Sequence, residues 1–377
     1  MRRLVLLWCA FLVAGCAPRE ESLPRLDITE FLSGEEVQGY PRALAPRDFR
    51  FPEDHGAHPE FRSEWWYVTG NLEDTSGRPF GFQISFFRYN LAPGQVERSS
   101  AWGTNQVWMA HLAVSDIETG EHLADERLAR GAMGLAGVEQ DPFRVWVEDW
   151  EMSGPAEFPW HIQASTENFS MDLTIRPEKP VVLQGDRGLS PKSDIEGNAS
   201  YYYSLTRLRT DGQVRIGGRT HHVTGTSWLD REWGTSALAS NQEGWDWFAL
   251  QLEGRRELMF YRLRRRDGSK DPASRGVLVD PDGASIKLSA GDVIVHPLQT
   301  WTGPRGDSWP VKWRLRVPDQ EIDWIVSAAF EDQLVDLAFR YWEGSVRVQT
   351  FEGGAPVGYG YLEMTRYGGL RTGNPAP

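Results

Sequence analysis

Cysteine is the scarcest residue type of this 377-residue chain, which contains only Cys9 and Cys16. A framework of several disulfide bonds is therefore excluded. Long apolar runs are missing as well, because no stretch after residue 16 approaches the roughly 18 apolar residues of a membrane-spanning helix. Basic side chains number 40 against 53 acidic ones. We therefore expect no nucleic-acid partner, since binding to phosphates requires a basic surface.

Several catalytic motifs are also absent. The chain contains no Gly-x-Ser-x-Gly nucleophile turn, no His-Glu-x-x-His zinc motif and neither of the usual glycine motifs for nucleotides. His221 and His222 are adjacent, so on a strand they point to opposite faces and make a poor metal chelate. We expect no metal site and no cofactor.

Aromatic residues are abundant, with 17 Trp, 17 Phe and 11 Tyr. Tryptophan is as frequent as phenylalanine, which is unusual, and any function assigned to the chain should account for it. Hydrophobic residues make up 40% and charged residues 25% of the chain, values typical of a folded protein. The length predicts about two domains.

The N-terminus has the pattern of an export signal. Arg2 and Arg3 precede an uncharged apolar run at residues 4–14, which is too short to cross a bilayer and is typical of a signal peptide. The run ends in small residues before Cys16, which resembles the bacterial lipobox, where the cysteine is lipidated. The alternative is an ordinary signal peptide with an incidental cysteine.

The lipobox interpretation predicts a signal peptide at residues 1–15 and a lipid-anchored tether at 16–47, attached through Cys16. Ala17 follows the cysteine, and the absence of Asp there favours the outer membrane of a Gram-negative cell, with the protein facing the periplasm. A short helix is expected near residues 28–34.

From Glu64 onward the hydrophobic period is mostly two, which predicts half-buried strands. The clearest example is residues 80–86, where apolar residues alternate with small or polar ones. Further strands are predicted at 106–116, 143–150, 169–176, 201–209, 245–253, 257–264, 312–317, 333–340 and 358–367. Turns are predicted at Asp211-Gly212, Asp267-Gly268, Asp282-Gly283 and residues 352–354. The fold class is therefore all-β and antiparallel.

A weak internal repeat supports two β units. Residues 65–73 align with residues 245–253, with Trp, Leu and Glu at matching positions. We expect one domain at 48–238, a second at 239–370 and a tail at 371–377.

The densest group of candidate catalytic residues lies within residues 225–234. On an extended strand, Trp228, Asp230 and Glu232 share one face, with neighbouring positions roughly 6.6–6.8 Å apart. Two carboxylates this close should titrate as a coupled pair, and burial would keep one of them protonated. Such a pair can donate a proton. The alternative is that one carboxylate forms a structural ion pair, for example with Arg231.

Two further groups have both a structural and a functional interpretation. His58 and Glu64 are either polar groups at a pocket mouth, with Trp65 and Tyr67 as its walls, or part of an ordinary barrel strand. His111 alternates with apolar residues in the predicted strand at 106–116. It is either a hydrogen-bonded core residue or a catalytic or ligand-binding one.

These motifs resemble the AttH-like and carotenoid 1,2-hydratase family. The resemblance rests on residues 58–59, 63–67, 227–234, 341–344 and 360–365. It implies two lipocalin-like antiparallel β-barrel domains packed together, with a hydrophobic small molecule held in a barrel or between the two.

The resemblance also implies roles for individual residues. Asp230 would protonate an isoprenoid double bond, and water would add to the resulting cation. Glu232 is the second expected catalytic residue, on the ground of the shared strand face and not of the resemblance. Trp228 stands where the hydratases are associated with Tyr, and Arg231-Glu232 is closer to the AttH branch. The expected ligand-binding residues are Glu64, Trp65, Trp66, Tyr67, His111, Tyr203, Trp228, Trp233 and Trp247.

Two other functions are compatible with the same residues. One is a carrier of lipophilic molecules without enzymatic activity. The other is a hydrolase or carbohydrate-active protein that uses Asp230 and Glu232, because exposed tryptophans stack on sugars and paired carboxylates suit glycosyl transfer.

Overall fold

The computed structural model describes residues 38–94, 100–235 and 238–367. The predicted signal, Cys16 and the short helix near 28–34 lie outside these residues. The described chain folds into two antiparallel sheets, one formed by residues 63–234 and the other by residues 242–365. The predicted boundary between residues 238 and 239 stays a prediction.

The first sheet contains thirteen strands. They are β1 (Ser63–Asp74), β2 (Pro79–Asn90), β3 (Gln106–Asp116), β4 (Glu121–Arg130), β5 (Ala136–Gln140), β6 (Phe143–Val147), β7 (Trp150–Gly154), β8 (Trp160–Ser165), β9 (Phe169–Pro177), β10 (Val182–Leu183), β11 (Leu189–Pro191), β12 (Ala199–Ile216) and β13 (Arg219–Gly234). The main path runs β4-β3-β2-β1-β13-β12-β9-β8-β7-β6-β5 and curls into a nearly closed barrel.

The second sheet contains ten strands and forms a half-barrel. They are β14 (Gln242–Leu252), β15 (Glu257–Arg265), β16 (Arg275–Val279), β17 (Ser285–Ser289), β18 (Ile294–Thr302), β19 (Ser308–Val317), β20 (Ile322–Ala328), β21 (Leu334–Asp336), β22 (Arg340–Thr350) and β23 (Pro356–Thr365). The main path is β17-β16-β15-β14-β23-β22-β20-β19-β18.

The helices of the described residues are three short 3-10 turns, Glu53–His55, Glu253–Arg255 and Pro318–Gln320. None of these helices in the described residues has the length or apolar character that crossing a bilayer requires. The predicted all-β, lipocalin-like fold class is confirmed.

The two sheets share one pattern of strand pairing. β1 pairs with both β2 and the last strand of its sheet, β13. β14 does the same with β15 and β23. The two repeated segments, 65–73 and 245–253, therefore lie in equivalent strands of the two sheets.

Three of the sequence-based predictions of turns and strands are wrong. Asp211-Gly212 lies inside β12, because Gly212 allows the backbone of β9 to approach: a Cβ there would lie 2.1 Å from the Asp172 carbonyl oxygen. The strand predicted at residues 143–150 is interrupted at Glu148, which has a φ of 56° and turns the chain between β6 and β7. Residues 333–340 are not one strand, because the chain bends between β21 and β22 and packs Phe339 against Met109.

Apolar side chains form two large cores and a third one between the sheets. The barrel interior contains Trp66, Trp108 and Trp233, and the second sheet covers Trp313 and Trp342 on its own inner face. The third core joins residues of both sheets: Tyr67, Tyr202, Trp228, Trp247 and Tyr361 are among its members. This third core positions the candidate site.

Candidate functional site

A cavity of about 110 Å³ lies between the two sheets. Its walls are mostly aromatic and apolar, with a few polar groups that point inward. The lining residues of the first sheet and its loops are Trp65, Tyr67, Gln83, Phe87, Lys192, Tyr202, Asp230 and Glu232. Those that follow in sequence are Leu238, Trp245, Trp247, Tyr261, Leu263, Tyr341, Glu343 and Glu363. The cavity is therefore outside the barrel and depends on both sheets.

Strand β13 separates the barrel interior from the cavity. Trp228, Asp230 and Glu232 share the face that points to the second sheet, whereas Arg231 and Trp233 point into the barrel. This division follows from the period of two along a strand.

Asp230 is buried and accepts three hydrogen bonds. Tyr202 Oη donates to its Oδ2 at 2.5 Å, and Ser204 Oγ and Trp228 Nε1 donate to its Oδ1 at 2.5 and 2.6 Å. Burial raises the pKa of Asp230 to about 7, although these hydrogen bonds favour the carboxylate. Near neutral pH, Asp230 therefore exists as a mixture of acid and carboxylate.

Glu232 has a different environment, although it lies only two residues away. Its Oε1 accepts a hydrogen bond from Ser200 and lies 2.7 Å from Lys192 Nζ. Burial would lower the pKa of Lys192, but the carboxylate of Glu232 outweighs that effect and raises it. Glu232 is therefore held as part of an ion pair, whose partner is Lys192 and not Arg231.

Two further carboxyl groups enter the cavity from the second sheet. Glu343 on β22 and Glu363 on β23 are directly opposite each other in the strand register. Like charges in such a pair repel. Burial raises the pKa of Glu363 to about 7, and burial together with the charge of Glu363 raises that of Glu343 well above its usual value. This side of the cavity is therefore rich in protonated carboxyl groups.

Each of these two carboxyl groups has an aromatic hydrogen-bond donor. Tyr67 Oη donates to Oε1 of Glu343, and Trp245 Nε1 donates to Oε1 of Glu363 at 2.6 Å. Oε2 of Glu343 is buried and finds no hydrogen-bond partner among the described residues. The free oxygen can exchange a proton with a neighbouring group or ligand.

The sequence-predicted site residues fall into three groups. Trp65, Tyr67, Asp230, Glu232 and Trp247 line the cavity. Trp228 lies just behind it, bonded to Asp230 and with its ring 6.3 Å from that of Trp247.

His111 also lies behind the cavity wall, where its Nδ1 is 2.8 Å from Tyr341 Oη. Burial lowers the pKa of His111 to about 3, so the ring is neutral.

The other predicted site residues, Glu64, Trp66, Tyr203 and Trp233, point into the barrel, away from the cavity. Glu64 is fully buried and bonded to Arg88 and Arg231. Burial alone would raise the pKa of Glu64, but these two guanidinium groups outweigh it and hold the pKa below its usual range.

His58 closes this barrel cluster. Its ring stacks on Trp233 with centroids 3.7 Å apart, and its backbone N–H donates to Glu64 at 3.0 Å. Arg231 lies over the Trp66 ring at 3.8 Å. In this structure the group is a buried ionic and aromatic support behind β13.

Sequence reasoning missed Tyr202, Lys192, Glu343 and Glu363. Tyr202 is the middle residue of Tyr201-Tyr202-Tyr203. Side chains alternate between the two faces of a strand, so of these three tyrosines only Tyr202 lies on the face of Asp230. Glu343 and Glu363 stand in the motifs at 341–344 and 360–365. A glutamate in an otherwise apolar strand was the signal that could have identified them. Lys192 lies in a loop segment without a comparable signal.

No group of three or more His, Cys, Asp or Glu in the described ranges is arranged to hold a metal ion. The polar groups of the cavity instead suit proton transfer and hydrogen bonding to an otherwise apolar molecule.

Comparisons with known proteins agree with this architecture. The sequence profile of the AttH-like family matches residues 42–367. A solved structure from Nitrosomonas europaea, assigned to AttH, is 34% identical, with a TM-score of 0.77, and the match covers 86% of this chain and 100% of that one. Kievitone hydratase from Nectria haematococca has a TM-score of 0.64 at 16% identity, covering 89% of this chain and 98% of its own, which shows a common fold. No curated protein matches the chain in sequence.

Proposed function

This chain belongs to the AttH-like family, and on that premise we propose that it adds water to a carbon–carbon double bond of an apolar isoprenoid or acyl molecule. The reaction would take place in the cavity between the sheets, with Asp230 as the acid. Kievitone hydratase shares the fold and is named for a hydration, which supports the reaction class.

The observation that carries the proposal is the state of Asp230 inside an aromatic cavity. Protonating an alkene needs a carboxylic acid that is still protonated near neutral pH, and burial raises the pKa of Asp230 to about 7. An ordinary surface aspartate, with a pKa of about 4, would hold almost no proton under those conditions.

The proposed reaction has two steps. The π electrons of the alkene take the proton of Asp230, which forms a C–H bond, leaves a carboxylate and creates a cation on the adjacent carbon. Water then forms a C–O bond with that carbon, and its extra proton passes to a carboxylate of the cavity. The sum is the addition of one water molecule.

The aromatic walls can stabilise the cation. Tyr67 and Trp247 pack at right angles with ring centroids 5.3 Å apart, and both line the cavity. The face of one aromatic ring contributes about 2 kcal/mol to a desolvated cation. A sugar would gain less from such walls, because its hydroxyl groups need many hydrogen-bond partners.

The first prediction is that purified protein converts a member of a panel of linear isoprenoids with trisubstituted double bonds, detected by mass spectrometry as the gain of labelled oxygen from H₂¹⁸O. Asp230→Asn should reduce the rate by roughly 10²–10⁴-fold. Asp172→Asn, at an exposed position of β9, is the matched control and should leave it unchanged.

The pH dependence of the reaction rate is a second test of Asp230 as the acid. Because the acid form of Asp230 reacts, the rate should be constant well below pH 7 and fall about tenfold per pH unit above it. Full activity of Asp230→Asn on a converted substrate would disprove the acid role. A co-purified lipid that stays unmodified on long incubation would favour a carrier instead.

Attachment to the outer membrane through Cys16 is a separate proposal, supported by the sequence pattern alone. Growth of a Gram-negative host with a radiolabelled fatty acid should label the wild-type protein, and Cys16→Ala should abolish the label. Equal labelling of both would exclude lipidation at this residue.

A further inference from the structure

A row of hydrogen-bonding side chains continues from the cavity wall to the edge of the first sheet. Tyr341 lines the cavity beside Glu343, two residues along β22, and the Tyr341 hydroxyl group interacts with the Glu343 carboxyl group. Behind it, His111 Nδ1 lies 2.8 Å from Tyr341 Oη. On the other side of the ring, His111 Nε2 lies 3.8 Å from Oε2 of Glu126. The row therefore crosses from the second sheet to the first.

Two buried atoms in this row face each other without a hydrogen bond. His111 Nε2 and Glu126 Oε2 are both buried and unpartnered among the residues that the structure describes. Their residues are directly opposite in the register of β3 and β4, so the side chains emerge on the same face. A small side-chain rotation or one water molecule would join them. Buried polar atoms left open in this way require an explanation.

We propose that His111 and Tyr341 relay protons from the solvent-facing edge of the first sheet to the carboxyl groups of the cavity. β4 ends the strand path of that sheet, and the Glu126 side chain on it is 27% exposed. Glu126 is therefore the entrance, and Glu343, whose Oε2 is free, is the exit.

The transfer balances without leaving a charge on the intermediate residues. Protonated Glu126 gives its proton to His111 Nε2, while Nδ1–H passes a proton to the Tyr341 oxygen. Once Glu343 has given its own proton to the cavity, the Tyr341 O–H gives its proton to the resulting carboxylate. The imidazole changes tautomer, one proton has moved from Glu126 to Glu343, and Glu126 takes up a proton from solvent.

The surroundings of each residue suit this role. His111 is fully buried, and its ring stacks on Tyr341 with centroids 5.5 Å apart, which fixes its orientation. Burial lowers the pKa of His111 to about 3, so the ring passes protons without retaining a charge. Burial raises the pKa of Glu126, which increases its protonated fraction.

The relay extends the proposed function, and its purpose rests on that function. An apolar substrate that fills the cavity expels the water through which the carboxyl groups would otherwise exchange protons. A route through the protein wall still resupplies them. Glu343 faces Glu363 across the strand pair, so a proton arriving there can be shared between the two.

The test uses the full protein with cyclohexane as a probe that fills the apolar cavity and expels its water, so its result does not depend on whether the chain is a hydratase. Infrared spectroscopy would follow the C=O band of protonated Glu343 after transfer to D₂O, with the band assigned by its loss in Glu343→Gln. We expect His111→Asn and Tyr341→Phe to slow deuteration of this band on the order of 10²-fold.

Two further variants complete the test. Glu126→Gln removes the acidic proton but keeps a side-chain oxygen that can accept the hydrogen bond of the Ala338 N–H, so it should slow the exchange without affecting folding. His122→Gln is the matched control, because His122 is the other histidine of this strand pair, is bonded to Ser115 and lies off the route. Wild-type exchange rates in His111→Asn and Glu126→Gln, or an equal slowing in His122→Gln, would overturn the relay.

Discussion

At the scale of the residue, the properties of Asp230 result from two opposing effects. Three donors stabilise its carboxylate, whereas complete burial favours the neutral acid, and burial prevails. Glu232, two residues along the same strand face, has a cationic partner in Lys192 instead. The environments of these two neighbouring carboxyl groups thus differ. Glu232 has a cation within contact distance, whereas Asp230 has only neutral hydrogen-bond donors.

Tyr202 and Tyr203 provide a matched pair to test this balance. Tyr202→Phe removes one donor to the Asp230 carboxylate, and a hydrogen bond to a charged group contributes about 1.5–3 kcal/mol. The pKa of Asp230 should therefore rise further, by about 1–2 pH units. Tyr203→Phe loses a hydrogen bond to His55 inside the barrel and should leave the pKa of Asp230 unchanged. Infrared titration of the Asp230 carboxyl band measures both, and equal shifts would contradict the assignment.

At the scale of the element, β13 supports two environments at once. One face carries Trp228, Asp230 and Glu232 toward the cavity, and the other carries Arg231 and Trp233 into the barrel. The barrel face is held by an ionic cluster that does not enter the cavity, so damage to stability and damage to the site should be separable on this strand.

Glu64→Gln tests that separation. It leaves Arg88 and Arg231 buried without their counter-charge, so the free energy of unfolding should fall by about 3–5 kcal/mol. Glu60→Gln, at an exposed position nearby, should have little effect. Urea unfolding measures the loss. A folded Glu64→Gln protein should keep the infrared titration of Asp230 close to that of wild type; a large change there would show that the two faces are coupled.

At the scale of the whole molecule, the site exists only where the two sheets meet. Apart from the shared aromatic core, a buried ionic group joins them: Glu257 on β15 lies 2.7 Å from Lys179 Nζ and 2.6 Å from Arg207 Nε of the first sheet segment. Glu257 is fully buried. The geometry of the cavity therefore depends on contacts far from Asp230.

Glu257→Gln should weaken the association of the sheets. Two buried cations lose their counter-charge, which should lower the free energy of unfolding by about 3–5 kcal/mol and broaden the urea transition as the two sheets unfold less cooperatively. Glu253→Gln, at an exposed position in the adjacent turn, is the control. Tryptophan fluorescence during urea unfolding gives both quantities, and a wild-type midpoint for Glu257→Gln would contradict the role given to this ionic group.

Much of the fold and part of the site could be predicted from the sequence. The period of two identified most long strands, because alternation is a property of the local chain. The period of two missed short or exposed strands such as β17 and β18, whose alternation is weak. The Asp-Gly pair at 211–212 led to the wrong prediction of a turn. In that case a close backbone contact with β9, which is distant in sequence, required glycine.

The sequence alone determined that the protein is all-β and that Trp228, Asp230 and Glu232 share one strand face, since both follow from local backbone geometry. Only the tertiary structure decided that this face meets a second sheet, that Glu64 is paired inside the barrel, and that Glu343 and Glu363 join Asp230 at one cavity. The physical reason is that alternation assigns a side chain to one of two faces. What that face meets, and hence how its charge is solvated and paired, depends on strands more than a hundred residues away.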